Sequence, residues 1–352
     1  WCYWVNGQFS ESLAAFQQAA DKLPVSADQA LARYKWADCL MRLGDFSGAL
    51  SNYYFVVSNY NALPSVKEEL VEPALYQVVR AGLARGYLDV ATNALSMILL
   101  RYPDGFYCDR ALLLTGEKVA RRGNPVQARE ILSSALRLPG ASPLASEIRL
   151  AIARCFEQEK SWPSAVAEYN RWLADYPKNP RRPEVEYALA WAVWHTGQGE
   201  EALLAFNKIA TRYPSNEFAP LAQNWVADYY LQQGNYTNAE ANYQLLFQKW
   251  PPSMITFSAK LMAGRAAMAR QGYDEAIGYF TRLINEGCPT EFMVQAFYEY
   301  GDATMRVDPA PGEPPLTNYW RAISIFSKIT QLYPTNELVP TAWGRIGDCY
   351  LQ

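Results

Sequence analysis

The chain repeats itself at a fixed interval, and this period restricts its fold more than any other feature. A small residue, named the marker here, recurs at Ser12, Ala49, Ala91, Ala128, Ala165, Ala202, Ala239, Ala276 and Ala322. The intervals between markers are 37, 42, five times 37, and 46 residues. A period of this length is typical of stacked supersecondary units, which bury their core between neighbours instead of forming one compact globule.

The residues around the marker keep the same register. A large apolar or aromatic side chain stands four residues after it, at Phe16, Tyr53, Leu95, Leu132, Tyr169, Phe206, Tyr243, Phe280 and Phe326. A small residue stands twelve before it, at Ala37, Gly116, Ala153, Ala190, Ala227 and Gly264. Glycine stands five before it, at Gly7, Gly44, Gly86, Gly123, Gly197 and Gly234. Proline stands twelve after it, at Pro24, Pro103, Pro177, Pro214, Pro251 and Pro334, with Pro139 and Pro289 displaced by one.

These spacings predict two antiparallel helices in each repeat. Glycine readily adopts the left-handed conformation that ends a helix, so a second helix starts just after it. Proline cannot continue a helix and stops the second one. The marker and the residue four later share one face of the second helix, and a small marker lets two backbones approach closely.

The pattern resembles the tetratricopeptide repeat, whose units are usually about 34 residues long. The resemblance covers essentially the whole chain. It implies an all-α fold, a right-handed superhelical solenoid of antiparallel helix pairs. We therefore expect residues 1–352 to form a single solenoid of about nine repeats, one for each marker.

Two intervals are longer than 37 residues, and the chain ends do not close the array. Insertions fall near residues 61–73 and 307–318, and the second carries four prolines, which predicts an exposed loop or, alternatively, a loop that binds a partner. Trp1 to Trp4 read like the end of a helix, and Gly347 and Tyr350 fit the first helix of a further repeat. We expect a fragment of a longer chain, in which an upstream signal peptide or lipid anchor stays possible.

Composition bears on the class of partner. The formal net charge is -3, and lysine and arginine are scattered along the chain without a basic stripe, so we expect no nucleic acid partner. No apolar run reaches the length of about eighteen residues that a transmembrane helix needs.

Motifs for catalysis, metals and cofactors are missing from the sequence. His195 is the only histidine, and no phosphate-binding, nucleophile or zinc motif occurs. Cys2, Cys39, Cys155 and Cys349 share one register position; equivalent positions one repeat apart lie about 10 Å from each other, beyond the reach of a disulfide, so we expect small core residues there. We expect no enzyme, no metal and no cofactor.

The family geometry implies that the first helices line a concave face, from which two rows project. The row eleven before the marker reads Trp1, Asp38, Glu117, Arg154, Trp191, Asp228 and Arg265. The row fifteen before it reads Tyr34, Leu113, Leu150, Tyr187, Asn224 and Leu261. Aromatic and charged side chains suit recognition of an extended peptide. The richest candidate set is Tyr187, Trp191 and Trp194, flanked by Arg154, Asn224 and Asp228; the alternative is that these aromatics are inter-repeat core.

We therefore expect a non-catalytic scaffold or adaptor that binds a protein or peptide on its concave face. Repeats ending in Tyr-Pro, as at Tyr102-Pro103 and Tyr213-Pro214, resemble bacterial cell-envelope tetratricopeptide proteins of the outer-membrane assembly and Tol-Pal types. That resemblance implies a multiprotein envelope complex and a periplasmic or outer-membrane-associated location, with the cytoplasm as the alternative. The surplus of tryptophan and tyrosine also allows a glycan- or peptidoglycan-binding module, and a non-catalytic arm of a larger enzyme is a third possibility.

Overall fold

The computed structural model describes residues 1–138 and 142–352, and within these two ranges it contains helices and turns but no strand. The helices form two compact units, Trp1–Asn179 and Pro180–Gln352, each described here by itself. The stop signal expected at Pro139 lies outside the described residues. The prediction of an all-α fold is confirmed.

The first unit is a stack of helix pairs. Its helices are α1 (Cys2–Val5), α2 (Phe9–Lys22), α3 (Ala27–Leu43), α4 (Phe46–Asn59), α5 (Pro64–Glu69), α6 (Val71–Arg85), α7 (Leu88–Arg101), α8 (Cys108–Arg121), α9 (Pro125–Ala135), α10 (Ala145–Gln158) and α11 (Trp162–Asp175). The long helices pack in chain order, each against the next, and the short α5 lies beside α6. First helices of successive pairs also touch, since α6 contacts α8 and α8 contacts α10.

The second unit follows the same scheme. Its helices are α12 (Arg182–His195), α13 (Gly199–Arg212), α14 (Phe218–Gln232), α15 (Tyr236–Lys249), α16 (Met254–Ala269), α17 (Tyr273–Asn285), α18 (Thr290–Arg306), α19 (Thr317–Leu332) and α20 (Val339–Tyr350). First helices again meet, with α12 against α14 and α14 against α16. In both units this contact places one side of every first helix on a shared inner face.

Left-handed residues separate the two helices of a pair, as the glycine spacing predicts. All six predicted glycines have positive φ, between 70° at Gly234 and 93° at Gly86. In two repeats the same position is occupied by Lys160 and Gln271, whose φ values are 56° and 67°. The turn geometry is therefore kept even where the side chain disfavours it.

The core of each repeat is the contact between its two helices. The marker alanines are fully buried, and so are most of the large side chains four residues later, such as Tyr243 and Phe280. Glycine twelve before the marker is required by this contact: a Cβ at Gly116 would lie 2.5 Å from Cγ of Leu132. Gly301 plays the same part against Phe326, although the insertion after α18 moves it out of the 37-residue register.

The two insertions differ in structure. Residues 307–316 lie outside helices and are mostly exposed, whereas the other insertion contains α5 and buries Val66.

Cys39, Cys155 and Cys349 are buried free thiols, as predicted. The prediction is wrong at Cys2, which is exposed on the four-residue α1, a helix without any buried residue. Within the described ranges no helix has the length and hydropathy needed to cross a membrane.

Candidate protein-binding surface

The first helices of three successive pairs in the first unit line one open groove. Its volume is about 620 Å³. We name it the basic groove; its walls come from α3 (Asp38, Met41, Arg42), α6 (Gln77, Arg80, Leu83, Ala84) and α8 (Leu114, Lys118, Arg121), with Trp4 of α1 and Phe46 and Tyr53 of α4. First helices thus line a concave surface in this unit, and whether it binds a partner stays a prediction.

Positive charge dominates the basic groove. Its lining holds four cations, Arg42, Arg80, Lys118 and Arg121, and one carboxylate, Asp38. Among the residues that the structure describes, three of the cations have no ion-pair partner, and Arg121 pairs with Glu117 at 3.5 Å on the exposed surface. An exposed pair of this kind contributes little and leaves the arginine available for other contacts.

The single carboxylate is already bonded within the protein. Asp38 accepts a hydrogen bond of 2.6 Å from the hydroxyl of Tyr53 and one of 2.8 Å from Nζ of Lys35. Lys35 neutralises the formal charge of Asp38, and Tyr53 occupies its second oxygen. The groove therefore presents a net positive surface despite the overall negative charge of the chain.

Arg80 is held in place by a chain of polar contacts. Its Nη1 donates to Oε1 of Gln77 at 2.9 Å, and Nε2 of Gln77 donates to the Tyr34 hydroxyl at 3.5 Å. Tyr34 is only 8% exposed, and its ring packs edge-on against Tyr53 at 5.4 Å. Burial, helped by nearby Asp38, raises the pKa of Tyr34 well above its usual value, so the hydroxyl stays neutral. Tyr34 supports the floor of the groove and is not an exposed contact residue.

Apolar side chains lie between the cations. Met41 and Leu114 are half-buried above the buried Leu83, so the floor can receive an apolar side chain of a ligand at Met41 and Leu114. Trp4 lies at the rim, 5.3 Å from the ring of Phe9, and Nζ of Lys35 is 5.5 Å from its ring centre. A groove with an apolar floor and charged walls fits a peptide better than a small polar ligand.

A second, smaller cavity of about 100 Å³ lies on the same inner face between α8 and α10. Glu117, Arg121, Arg154 and Gln158 contribute its polar lining. Arg121 thus borders both cavities, and the exposed Arg154 extends the positive surface towards α10. Arg154 lies where the row analysis places it, on the inner face of the first unit.

The sequence analysis missed part of this surface. Arg80 stands eleven residues before Ala91, in the same register as Asp38, Glu117 and Arg154, but the predicted row left that repeat out. Arg42 and Arg121 stand seven before their markers, a position that the analysis did not consider. The prediction that lysine and arginine form no basic stripe is wrong here, because residues some 37 apart in sequence become neighbours when repeats stack.

The row fifteen before the marker does not project as predicted. Tyr34, Leu150 and Leu261 are 8%, 1% and 3% exposed. These side chains are buried by helix packing and therefore belong to the core. Of the two predicted rows, the one eleven before the marker carries the charged side chains.

In the second unit Tyr187, Trp191 and Trp194 form the aromatic patch, but their side chains are largely packed against neighbouring aromatic residues. Trp191 and Trp194 lie edge-on to Trp225 at 6.3 and 5.3 Å. Trp225 in turn stacks on Phe206 at 4.1 Å. Tyr187 contacts Phe206, and burial raises its pKa. The three residues are half-buried members of a core cluster, which supports the alternative that they belong to the inter-repeat core.

The polar residues predicted beside this patch are bonded within the protein. Nδ2 of Asn224 donates to Asp228 at 2.7 Å, and Asp228 also accepts a hydrogen bond from the hydroxyl of Tyr243 at 2.5 Å. Arg265 forms an ion pair with Glu299 at 2.9 Å. Burial raises the pKa of Asp228 above its ordinary value, whereas the hydrogen bonds from Tyr243 and Asn224 act in the opposite direction. These groups stabilise contacts between helices in the second unit.

Reactive chemistry has little support in the described part of the chain. It contains no group of three or more histidine, cysteine or acidic residues arranged to hold a metal ion. Burial raises the pKa values of the Cys108 and Cys155 thiols to about 11, so both stay protonated and unreactive near neutral pH.

Comparisons with known proteins agree with the helix-pair architecture. The tetratricopeptide repeat family model matches residues 3–54, 113–180 and 187–253, together more than half of the chain. A search of curated proteins found no match.

Many solved structures are similar. The apo form of RapI is 12% identical with a TM-score of 0.51, and the match covers 92% of this chain and 97% of that one. At this identity the likeness concerns the fold alone. A tetratricopeptide repeat protein from Parabacteroides merdae is 17% identical, with a TM-score of 0.44 and coverages of 78% and 98%. The type IV pilus biogenesis factor PilW is 18% identical, with a TM-score of 0.43 and coverages of 66% and 99%.

Proposed function

The chain belongs to the tetratricopeptide repeat family, and from this premise we propose that it is a non-catalytic scaffold that binds a segment of a partner protein in the basic groove. Tetratricopeptide repeats in general mediate interactions between proteins. The observation that carries the assignment of the site is the groove itself, about 620 Å³ in volume and walled by three successive first helices.

The chemistry of the groove supports a peptide ligand. Half-buried floor residues such as Met41 and Leu114 can bury a side chain of the ligand, and long flexible cations such as Arg42 can set the register of the bound chain. The packing of α3, α6 and α8 fixes the walls before a ligand arrives, which reduces the entropy lost on binding.

At the aromatic patch, the packing of the rings favours a protein ligand over a glycan. A sugar ring stacks on an open aromatic face, but Trp225 lies stacked between Phe206 and Tyr229. We propose the half-buried edges of Trp191 and Trp194 as a secondary contact, with Asn224, Asp228 and Arg265 as supporting residues beside them. At the basic groove, Tyr34 and Asp38 are the proposed supporting residues.

The proposed cellular setting is a multiprotein assembly of the bacterial cell envelope. It rests on the repeat style, in which Tyr102, Tyr176, Tyr213 and Tyr333 each end a second helix before proline. A fusion of the complete gene product to a reporter active only outside the cytoplasm tests this location. Reporter activity is expected, and an inactive but intact fusion contradicts an envelope role and favours the cytoplasm.

The binding function is tested by blocking the groove without disturbing the core. Ala84 is exposed on α6 and lines the groove, so Ala84→Trp fills the space that a ligand would occupy. Ala167 is exposed on α11, a second helix, and Ala167→Trp is the matched control. Peptides selected by display on the wild-type chain should lose binding to the first variant and keep binding to the second. Selected peptides that bind both variants equally would place the binding site elsewhere.

A further inference from the structure

We propose that the occupant of the basic groove is an acidic, extended segment from the interior of a partner's chain. This inference rests on the proposed function and deepens it by naming the chemistry of the partner. It starts from the imbalance between cations and carboxylates among the side chains that line the groove.

The unpaired positive charge in the groove favours an anionic partner. Arg42 and Arg80 are exposed and Lys118 is half-buried, and no described residue forms an ion pair with any of them. The lining carboxylate, Asp38, is already bonded to Lys35 and Tyr53. Carboxylates of a ligand would meet cations that lack internal partners, so ligand binding need not break an existing salt bridge at Arg42, Arg80 or Lys118.

The distribution of the cations selects a segment with several acidic residues. Arg42 lies on α3, Arg80 on α6, and Lys118 with Arg121 on α8. Charges spread over three helices match carboxylates spaced along an extended chain, whereas the single negative charge of a terminal carboxylate would balance only one of the four cations. Arg80 is also pre-positioned by its hydrogen bond to Gln77, so less side-chain entropy is lost when it binds.

The apolar floor adds the second requirement. Met41, Leu83 and Leu114 lie on the same three helices, one on each. In an extended chain alternate side chains point to opposite sides, so a segment that alternates acidic and apolar residues can bury the apolar ones and offer the acidic ones to the walls. This floor favours a protein segment, which carries apolar side chains, over a nucleic acid, whose charge lies on its backbone.

The test uses a fluorescently labelled peptide that alternates Asp and Leu and is blocked at both ends. Fluorescence anisotropy with the full chain should show binding that weakens with added salt, because exposed ion pairs are screened. The double variant Arg80→Gln with Lys118→Gln should bind roughly tenfold more weakly, as expected for the loss of about 1.4 kcal/mol of charge complementarity. Arg101→Gln with Arg171→Gln removes two exposed cations from second helices and should leave binding unchanged.

Several results would overturn the inference. The Asp peptide could fail to bind, an Asn version could bind equally well, or a single-stranded oligonucleotide could displace it more efficiently than unlabelled peptide. Tenfold tighter binding of a version with a free C-terminus would contradict an internal segment. If display then yields neutral peptides that Ala84→Trp excludes, the proposed function stands and only the acidic partner is wrong. If no peptide is sensitive to Ala84→Trp, both proposals fail.

Discussion

Asp228 on α14 accepts a 2.5 Å hydrogen bond from the hydroxyl of Tyr243 on α15, and Asp38 on α3 accepts one of 2.6 Å from Tyr53 on α4. Both pairs join the position eleven before a marker to the position four after it. Aspartate at the first position thus occurs with tyrosine at the second, and the bond ties the two helices of one repeat together. At Asp228 the bond also involves a buried carboxylate, which gives that repeat a dependence on pH.

Stability should respond to pH in opposite directions at Asp228 and Glu286. Burial raises the pKa of Asp228 in the folded state above the ordinary value of 3.8. The folded state therefore holds this proton more tightly than the unfolded chain, and ionisation of Asp228 costs stability as pH rises above about 4. Relative to Asp228→Asn, the wild type should gain free energy of unfolding as pH falls from neutral through the raised pKa.

Glu286 provides a control, because its pKa is shifted in the opposite direction from that of Asp228. Burial acts to raise its pKa, but hydrogen bonds from Lys260 and Arg282 outweigh burial, and the net pKa lies below the ordinary value of 4.5. Its contribution is present above that value and is lost as pH falls through the lowered pKa. Urea unfolding of wild type, Asp228→Asn and Glu286→Gln at several pH values measures both effects. Parallel pH profiles for the two variants relative to wild type would contradict the assignments.

Replacing the two strained residues between paired helices should stabilise the fold. Lys160 and Gln271 have φ values of 56° and 67°, a conformation that costs an ordinary residue about 1 kcal/mol. Lys160→Gly and Gln271→Gly should each raise the free energy of unfolding by about 0.5 to 1 kcal/mol, because the relief of strain exceeds the added entropy of the unfolded chain. Thermal and urea unfolding measure the change. Lys178→Gly, at a turn residue without positive φ, should not stabilise, and a gain there equal to that at Lys160 would refute the explanation.

Alanine should have opposite effects at two glycines in one repeat. A Cβ at Gly264 would collide with the fully buried ring of Phe280, so Gly264→Ala should destabilise the second unit by about 1 to 3 kcal/mol. Gly278 lies in α17 with open space around it, and Gly278→Ala should stabilise by about 0.5 to 1 kcal/mol through its higher helix propensity. Chemical denaturation of both variants provides the comparison. If Gly264→Ala left the free energy of unfolding unchanged, the two helices would be able to separate without loss of stability.

Truncating a side chain of the aromatic patch should mainly lower the stability of the second unit, with only a secondary effect on binding. Trp191 contacts Phe206, Trp225 and His195, so Trp191→Ala leaves a cavity in the core of the second unit. We expect a loss of about 2 to 4 kcal/mol in the free energy of unfolding. Trp320→Ala, at a tryptophan that is 59% exposed, should cost much less. Equal losses at the two sites would mean that the packing around Trp191 contributes nothing.

The sequence predicts the helix pairs and their core because every repeat obeys the same local chemistry. Gly86 and its equivalents mark the turn, and the marker alanines are fully buried where the two helices meet. Gly301 escaped notice because the insertion after α18 breaks the count on which the register depends. The contact is nevertheless kept, since a Cβ at Gly301 would strike Phe326.

The binding surface was harder to predict because its charges come from separate repeats. Arg42, Arg80 and Lys118 are isolated in sequence and meet only when α3, α6 and α8 pack. Burial was equally hard to foresee for Trp191, since tryptophan serves a groove and a core equally well and only the positions of Phe206 and Trp225 decide between them. Register predicts which face a residue occupies, but three-dimensional packing decides whether that face is open.

The most direct test of the account is photo-crosslinking from within the groove. A benzophenone-bearing amino acid placed at Ala84 lies among the groove side chains, and the same amino acid at Ala167 lies on a second helix of the same unit. With a peptide selected on the wild-type chain, the account predicts a crosslink from position 84 and none from position 167, with the peptide attached to residues of α3, α6 or α8. Crosslinking from position 167 alone, or equally from both, would contradict the central claim that the basic groove holds the partner.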